Sequence, residues 1–172
     1  MNLKAALLKE NSKKQTLLIA ASIATNPKLF EEAMQVFFAN EYLLTQRCAA
    51  VINACFEKNP KLIEPYLLKL IENLSKKGLH DAVKRNTVRM LQFMDIPKNL
   101  QGLAFENCMK LLLSSDEAIA IRVFAMTVLF NICKVEPELK KEVIIAIEAH
   151  LPYASKGYLN RAGKLLSKLK KL

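Results

Sequence analysis

The chain contains no tryptophan, and only four of its 172 residues are glycine and six proline. That scarcity excludes collagen-like and low-complexity organisation, both of which need such residues in large excess. Cysteine is equally thin. Cys48, Cys55, Cys108 and Cys133 stand singly, 7, 53 and 25 residues apart, with no Cys-x-x-Cys among them. Zinc sites and dithiol redox motifs draw on such pairs and have no support here. Each cysteine falls in a helical apolar pattern, so all four are expected to be buried, reduced thiols of a cytoplasmic protein. Long apolar runs are missing too: residues 17–24 form the longest, and Ser22 interrupts it. A membrane-spanning helix needs about 20 apolar residues, so no span is expected. Residues 1–10 mix Lys4, Lys9 and Glu10 with short apolar stretches, and no small-residue cleavage site follows, so no secretory leader is expected.

Apolar residues make up 52% of the chain and charged residues 24%, the balance of a folded protein rather than a disordered one. The length of 172 residues suits one domain, 1–172, with a sizeable core. Two independent rulers divide it into repeats. Pro27, Pro60, Pro97 and Pro137 recur at gaps of 33, 37 and 40, and each opens an amphipathic segment. Proline is tolerated at the first helical position because the N–H it lacks would be unpaired there. Arg47, Arg85, Arg122 and Arg161 recur at 38, 37 and 39, and Lys14 holds the slot 33 residues before Arg47. From each basic residue to the next proline is 13, 13, 12 and 15 residues, so the rulers keep one phase.

Apolar spacing between these marks is helical. In residues 60–74, Leu62, Ile63, Tyr66, Leu67, Leu70, Ile71 and Leu74 follow the three-and-four spacing of one face, while Lys61, Glu64, Lys69, Glu72 and Asn73 fill the other. Asn40-Glu41 and Ser115-Asp116-Glu117 are expected to cap helix starts, and Lys77-Gly78 a helix stop. No run alternates with period two for long enough to make a strand. Five helix pairs follow, near 1–26, 27–58, 59–95, 96–135 and 136–172. Residues 116–135 are apolar nearly all round, so that helix must be covered on several sides, as stacked repeats cover their second helices.

Glu41-x5-Arg47-x2-Ala50 and Asp116-x5-Arg122-x2-Ala125 resemble the HEAT repeat, which has an acid at the start of its second helix, an arginine six residues on, then small and aliphatic residues. The resemblance covers residues 27–172 well and 1–26 weakly. It departs where Leu79 and Ser155 replace the acid, although Asp81 lies near Arg85. It implies an all-α, α-α superhelix of about five antiparallel helix pairs, with the second helices lining the concave face. On function it is almost silent, because the fold hosts scaffolds, adaptors, transport factors and a few nucleic-acid enzymes.

The recurring Arg47, Arg85, Arg122 and Arg161 read as a structural ladder tying neighbouring turns together, a role suited to a guanidinium with five donors. A phosphate-binding role is the competing reading. The net charge of +10 concentrates at the end of the chain: residues 153–172 carry +6 from Lys156, Arg161, Lys164, Lys168, Lys170 and Lys171, with no acid. A polar end cap explains this; a landing patch for an anionic partner through Lys164, Lys168 and Lys171 is the alternative. Lys84 and Arg89 flank Arg85 in a smaller basic patch with the same two readings. Catalytic patterns are poor. His80 and His150 lack a second ligand at helical spacing, aspartate occurs only as Asp81, Asp95 and Asp116, and no nucleotide-binding or nucleophile motif is present. The HEAT-like DNA alkylation-repair glycosylases would imply a basic aromatic groove and a catalytic aspartate, and this chain has no clear aromatic cluster. The expectation is a non-enzymatic scaffold or adaptor for another protein, without cofactor, metal or small-molecule substrate; the alternative is a HEAT-like protein that binds or repairs nucleic acid through a basic surface.

Overall fold

Proline and short capping side chains start the helices. Pro27 takes the first position of its helix, and Asn26 Oδ1 accepts the Leu29 N–H. Asn2, Ser12 and Ser155 cap three others in the same way. A computed structural model describes residues 1–172 as ten α-helices: α1 (Leu3–Lys9), α2 (Lys13–Ala24), α3 (Pro27–Phe38), α4 (Tyr42–Lys58), α5 (Leu67–Asn73), α6 (Asp81–Leu91), α7 (Lys98–Leu113), α8 (Ile119–Cys133), α9 (Lys140–Glu148) and α10 (Lys156–Leu169). There is no strand, and the helices fall into the five successive pairs expected.

Helix boundaries differ from expectation at three places. Residues 60–74 are not one helix: 3-10 turns at Pro60–Leu62 and Glu64–Tyr66 precede the seven-residue α5. Pro65 is the cause, because it offers no N–H to an α-helical bond and its ring blocks the preceding turn. Ser115-Asp116-Glu117 lies in a turn ahead of α8, whose cap position is Ala118 with no side-chain bond. Asn40 does not cap α4 either; Glu41 holds that position without a side-chain bond.

Asn40 does something else. Its φ is +60°, in the left-handed region that asparagine tolerates better than most residues. Its Nδ2 donates to the Gly78 carbonyl at 3.0 Å, and its Oδ1 accepts the His80 N–H at 2.8 Å. Gly78, at φ +67°, sits beyond the end of α5 rather than at its cap. The α3–α4 turn is thereby tied to the α5–α6 turn. Asn40→Ala is expected to lower stability by about 2 kcal/mol, combining backbone strain with two lost bonds. Asn40→Gly, which relieves the strain, should recover part of that; equal urea midpoints for wild type and Asn40→Ala would show the tie to be idle.

The chain forms two compact units, residues 1–86 and 87–172. Each is built around one second helix. In the first, α4 packs against α1, α2 and α3, burying Cys48, Ala49, Val51, Ile52, Cys55 and Phe56. In the second, α8 packs against α7, α9 and α10, burying Ile121, Ala125, Met126, Val128, Leu129 and Ile132. This is why the sequence of α8 is apolar nearly all round.

Candidate functional site

The second helices carry the basic residues singled out by the sequence. Arg47, on α4, is half-buried; its Nη1 donates to the Leu7 carbonyl of α1 at 2.8 Å, and its Nε is enclosed without an acceptor. Arg122, on α8, donates from Nε to the Leu112 carbonyl at 3.1 Å, and its guanidinium lies 5.0 Å from the centre of the Tyr158 ring. Arg161, on α10, donates from Nη1 to Thr127 Oγ1 at 2.6 Å. Arg85, on α6, is exposed. The acids six residues ahead do not meet these arginines. Glu41 pairs instead with Lys4 at 3.6 Å, and Asp116 forms no ion pair.

On α6, Lys84 pairs with Asp81 at 3.1 Å, and Arg89 is exposed. Lys164 and Lys168 are exposed four residues apart, so they share one side of α10, and exposed Lys171 follows in the turn after it. Lys168 and Lys134 lie 5.9 and 5.7 Å from the centre of the Phe130 ring of α8. Lys170 pairs with Glu148 at 3.2 Å. Neither α8 nor α10 contains an acid.

A cavity of about 550 Å³, with no counterpart among the sequence expectations, is lined by Phe93, Met94, Ile96, Ile132 and Val135, with Asp95, Gln101 and Lys134 among its polar groups. It lies where the connection after α6 runs past α7 and α8. Asn131 Nδ2 donates to the Gln92 carbonyl at 2.9 Å and Gln101 Nε2 to the Ile96 carbonyl at 2.9 Å, which fixes that connection. Gln101 Oε1 is buried without a partner. Phe93 is 72% exposed and Val135 59%, so two large apolar groups stand in water at the cavity. The only signal in the sequence was an aromatic residue lying just past a helical apolar pattern.

No group of three or more His, Cys, Asp or Glu side chains is placed to hold a metal ion. His80 accepts the Ala82 N–H on Nδ1 and its ring lies 4.9 Å from that of Tyr42. His150 stands 6.3 Å from the Tyr158 ring; burial first, and then the Arg122 charge, push it below the usual histidine range, against a hydrogen bond with the Leu113 backbone. The four thiols are free and buried. Cys48 and Cys55 point at the Ala33 and Ala20 carbonyls. Burial pushes Cys48 and Cys108 up to about 12, and Cys55 and Cys133 to about 11. The thiolate is the reactive form, so labelling by a thiol reagent at pH 8 is expected to be slow in the folded protein and fast in urea. Two or more thiols labelled within seconds without denaturant would contradict this packing.

Successive short-linked helix pairs with an arginine at one recurring position define a helical repeat protein. The family model of the HEAT repeat domain matches residues 3–161, so the chain belongs to the HEAT repeat family. No curated protein and no solved structure matches it significantly. No helix is long and apolar enough to cross a membrane.

Proposed function

We propose that the protein is a non-enzymatic scaffold or adaptor in the cytoplasm, that its partner is another protein, and that residues 1–172 act as one repeat domain. The cavity beside Phe93 carries this reading. Exposed apolar groups at the mouth of a concave site are what a partner's side chain covers on binding. HEAT membership supports it by analogy of fold, and four buried free thiols suit a reducing compartment. The test is affinity capture from nuclease-treated native lysate, comparing wild type with Phe93→Asp. A captured protein that survives about 0.5 M salt and is lost with Phe93→Asp is the expected result, because apolar contacts are not screened. No captured protein, capture that vanishes at that salt, or capture that Phe93→Asp leaves unchanged overturns it.

A second reading, binding or repair of nucleic acid, is favoured by the absence of acids from α8 and α10. The number of free charges limits it. Lys170 is paired with Glu148, which leaves Lys164, Lys168 and Lys171, with Lys134 beside Lys168 at Phe130, to meet phosphates together. About four contacts give a salt slope of about −3 to −4. Fluorescence anisotropy with labelled single- and double-stranded oligonucleotides is therefore expected to show weak, sequence-independent binding that disappears by physiological salt. Submicromolar binding that persists there, and is abolished by Lys164→Glu with Lys168→Glu, would put the nucleic-acid reading first.

A further inference from the structure

The recurring arginine is engaged differently in the two units. In residues 87–172, Arg122 is held by the Leu112 carbonyl and the Tyr158 ring, and Arg161 by Thr127. In residues 1–86, Arg47 donates only from Nη1, and Arg85 makes no hydrogen bond or ion pair. Arg47 and Arg85 line the same cavity of about 180 Å³, bordered by the end of α1, by α2, by α4 and by α6. That is room for about six waters at their share of liquid volume.

The lining of this cavity is specific. Its apolar part includes Leu7 and Ile19, both buried. Its polar part holds the two guanidiniums, the neutral side chains of Asn11, Gln15, Thr16 and Gln46, and one carboxylate, Glu10, which is exposed like Arg85 at the rim and forms no ion pair with either arginine. Guanidiniums bind carboxylates and phosphates through paired N–H groups. A bare phosphate would bring two negative charges against Glu10. A carboxylate next to an N–H donor meets both halves: the carboxylate faces Arg47 and Arg85, the donor faces Glu10, and an aliphatic side chain lies on Leu7 and Ile19.

We propose that the Arg47–Arg85–Glu10 cavity binds a small aliphatic amino-carboxylate, either a free amino acid or the carboxyl-terminal residue of a peptide. No covalent step is involved, and the site is independent of the Phe93 cavity.

The experiment is a titration of the 15N-labelled 172-residue chain, following backbone amides and arginine Nε–H signals. The probes are L-leucine, N-acetyl-L-leucine, L-leucinamide and inorganic phosphate. Saturable shifts at Glu10, Gln46, Arg47 and Arg85 are expected with leucine or N-acetyl-leucine, and not with leucinamide or phosphate. Binding of leucine alone identifies the free amino acid; binding of N-acetyl-leucine alone identifies a chain terminus. Arg85→Gln removes no internal contact, so its fold persists, and it should weaken binding at least about tenfold, the loss expected for a charge-assisted hydrogen bond. Glu10→Gln should weaken leucine more than N-acetyl-leucine, because only leucine has an ammonium group. No saturable shift with either carboxylate, equal binding of leucinamide, binding of phosphate alone, or an Arg85→Gln variant that binds as wild type would each overturn the proposal.

Discussion

Replacing Tyr158 with alanine is expected to lower stability by about 3–5 kcal/mol, the cost of emptying an aromatic site in a packed core. Tyr158 is 1% exposed although it sits on the last helix. Its hydroxyl donates to the Ile147 carbonyl of α9 at 3.2 Å, and its ring lies beside Arg122 of α8. One side chain thus joins α8, α9 and α10. Tyr158→Phe keeps the ring and loses the hydroxyl bond, at about 1 kcal/mol. Urea denaturation separates the two: equal midpoints for the alanine and phenylalanine variants would mean that the ring is not part of the core.

Arg122→Ala is the second large effect, expected at about 1–3 kcal/mol. The Leu112 carbonyl at the end of α7 loses its donor, and the Tyr158 ring loses the cation beside it. The enclosed Nη2, which has no acceptor, subtracts from what the arginine contributes and places the value below that for Tyr158→Ala. A second readout belongs to this variant. His150 is held below the usual histidine value by burial and then by the Arg122 charge. A histidine whose folded pKa is lowered destabilises the fold as pH drops through the unfolded value towards the folded one, because the unfolded state takes up the proton first. Removing Arg122 should raise the His150 titration midpoint by NMR and reduce the acid sensitivity of the variant. An unmoved midpoint would show that the two groups do not sense each other.

The pairing of helices was legible because two residue types mark it. Proline lacks a donor and arginine carries five, so neither is interchangeable with its neighbours, and both kept one phase along the chain. Details that depend on a single bond were harder to read. Pro65 breaks the segment 60–74, yet the apolar periodicity of Leu62, Tyr66 and Leu70 continues through the break and hides it. Asn40 resembles a helix cap by type and position, but its partners, Gly78 and His80, lie 38 and 40 residues away. Contacts of that range are set by how repeats stack and leave no local pattern. The cavities were hidden for the same reason. Glu10 and Arg85 are 75 residues apart in sequence and become neighbours only when α1, α2, α4 and α6 assemble. The six charges of residues 153–172 were visible at once, but the pairing of Lys170 with Glu148 was not, and it sets how many remain for a partner.

The four sealed thiols have a practical consequence. Cys48 and Cys55 lie in residues 1–86, and Cys108 and Cys133 in residues 87–172, all silent until their surroundings open. Each unit therefore carries its own pair of clocks. Brief exposure to an alkylating reagent followed by peptide mass analysis would time the opening of each unit separately, in the unmodified chain and with no added label. A partner that grips only one unit would slow one pair and leave the other running, revealing where it binds before its identity is known.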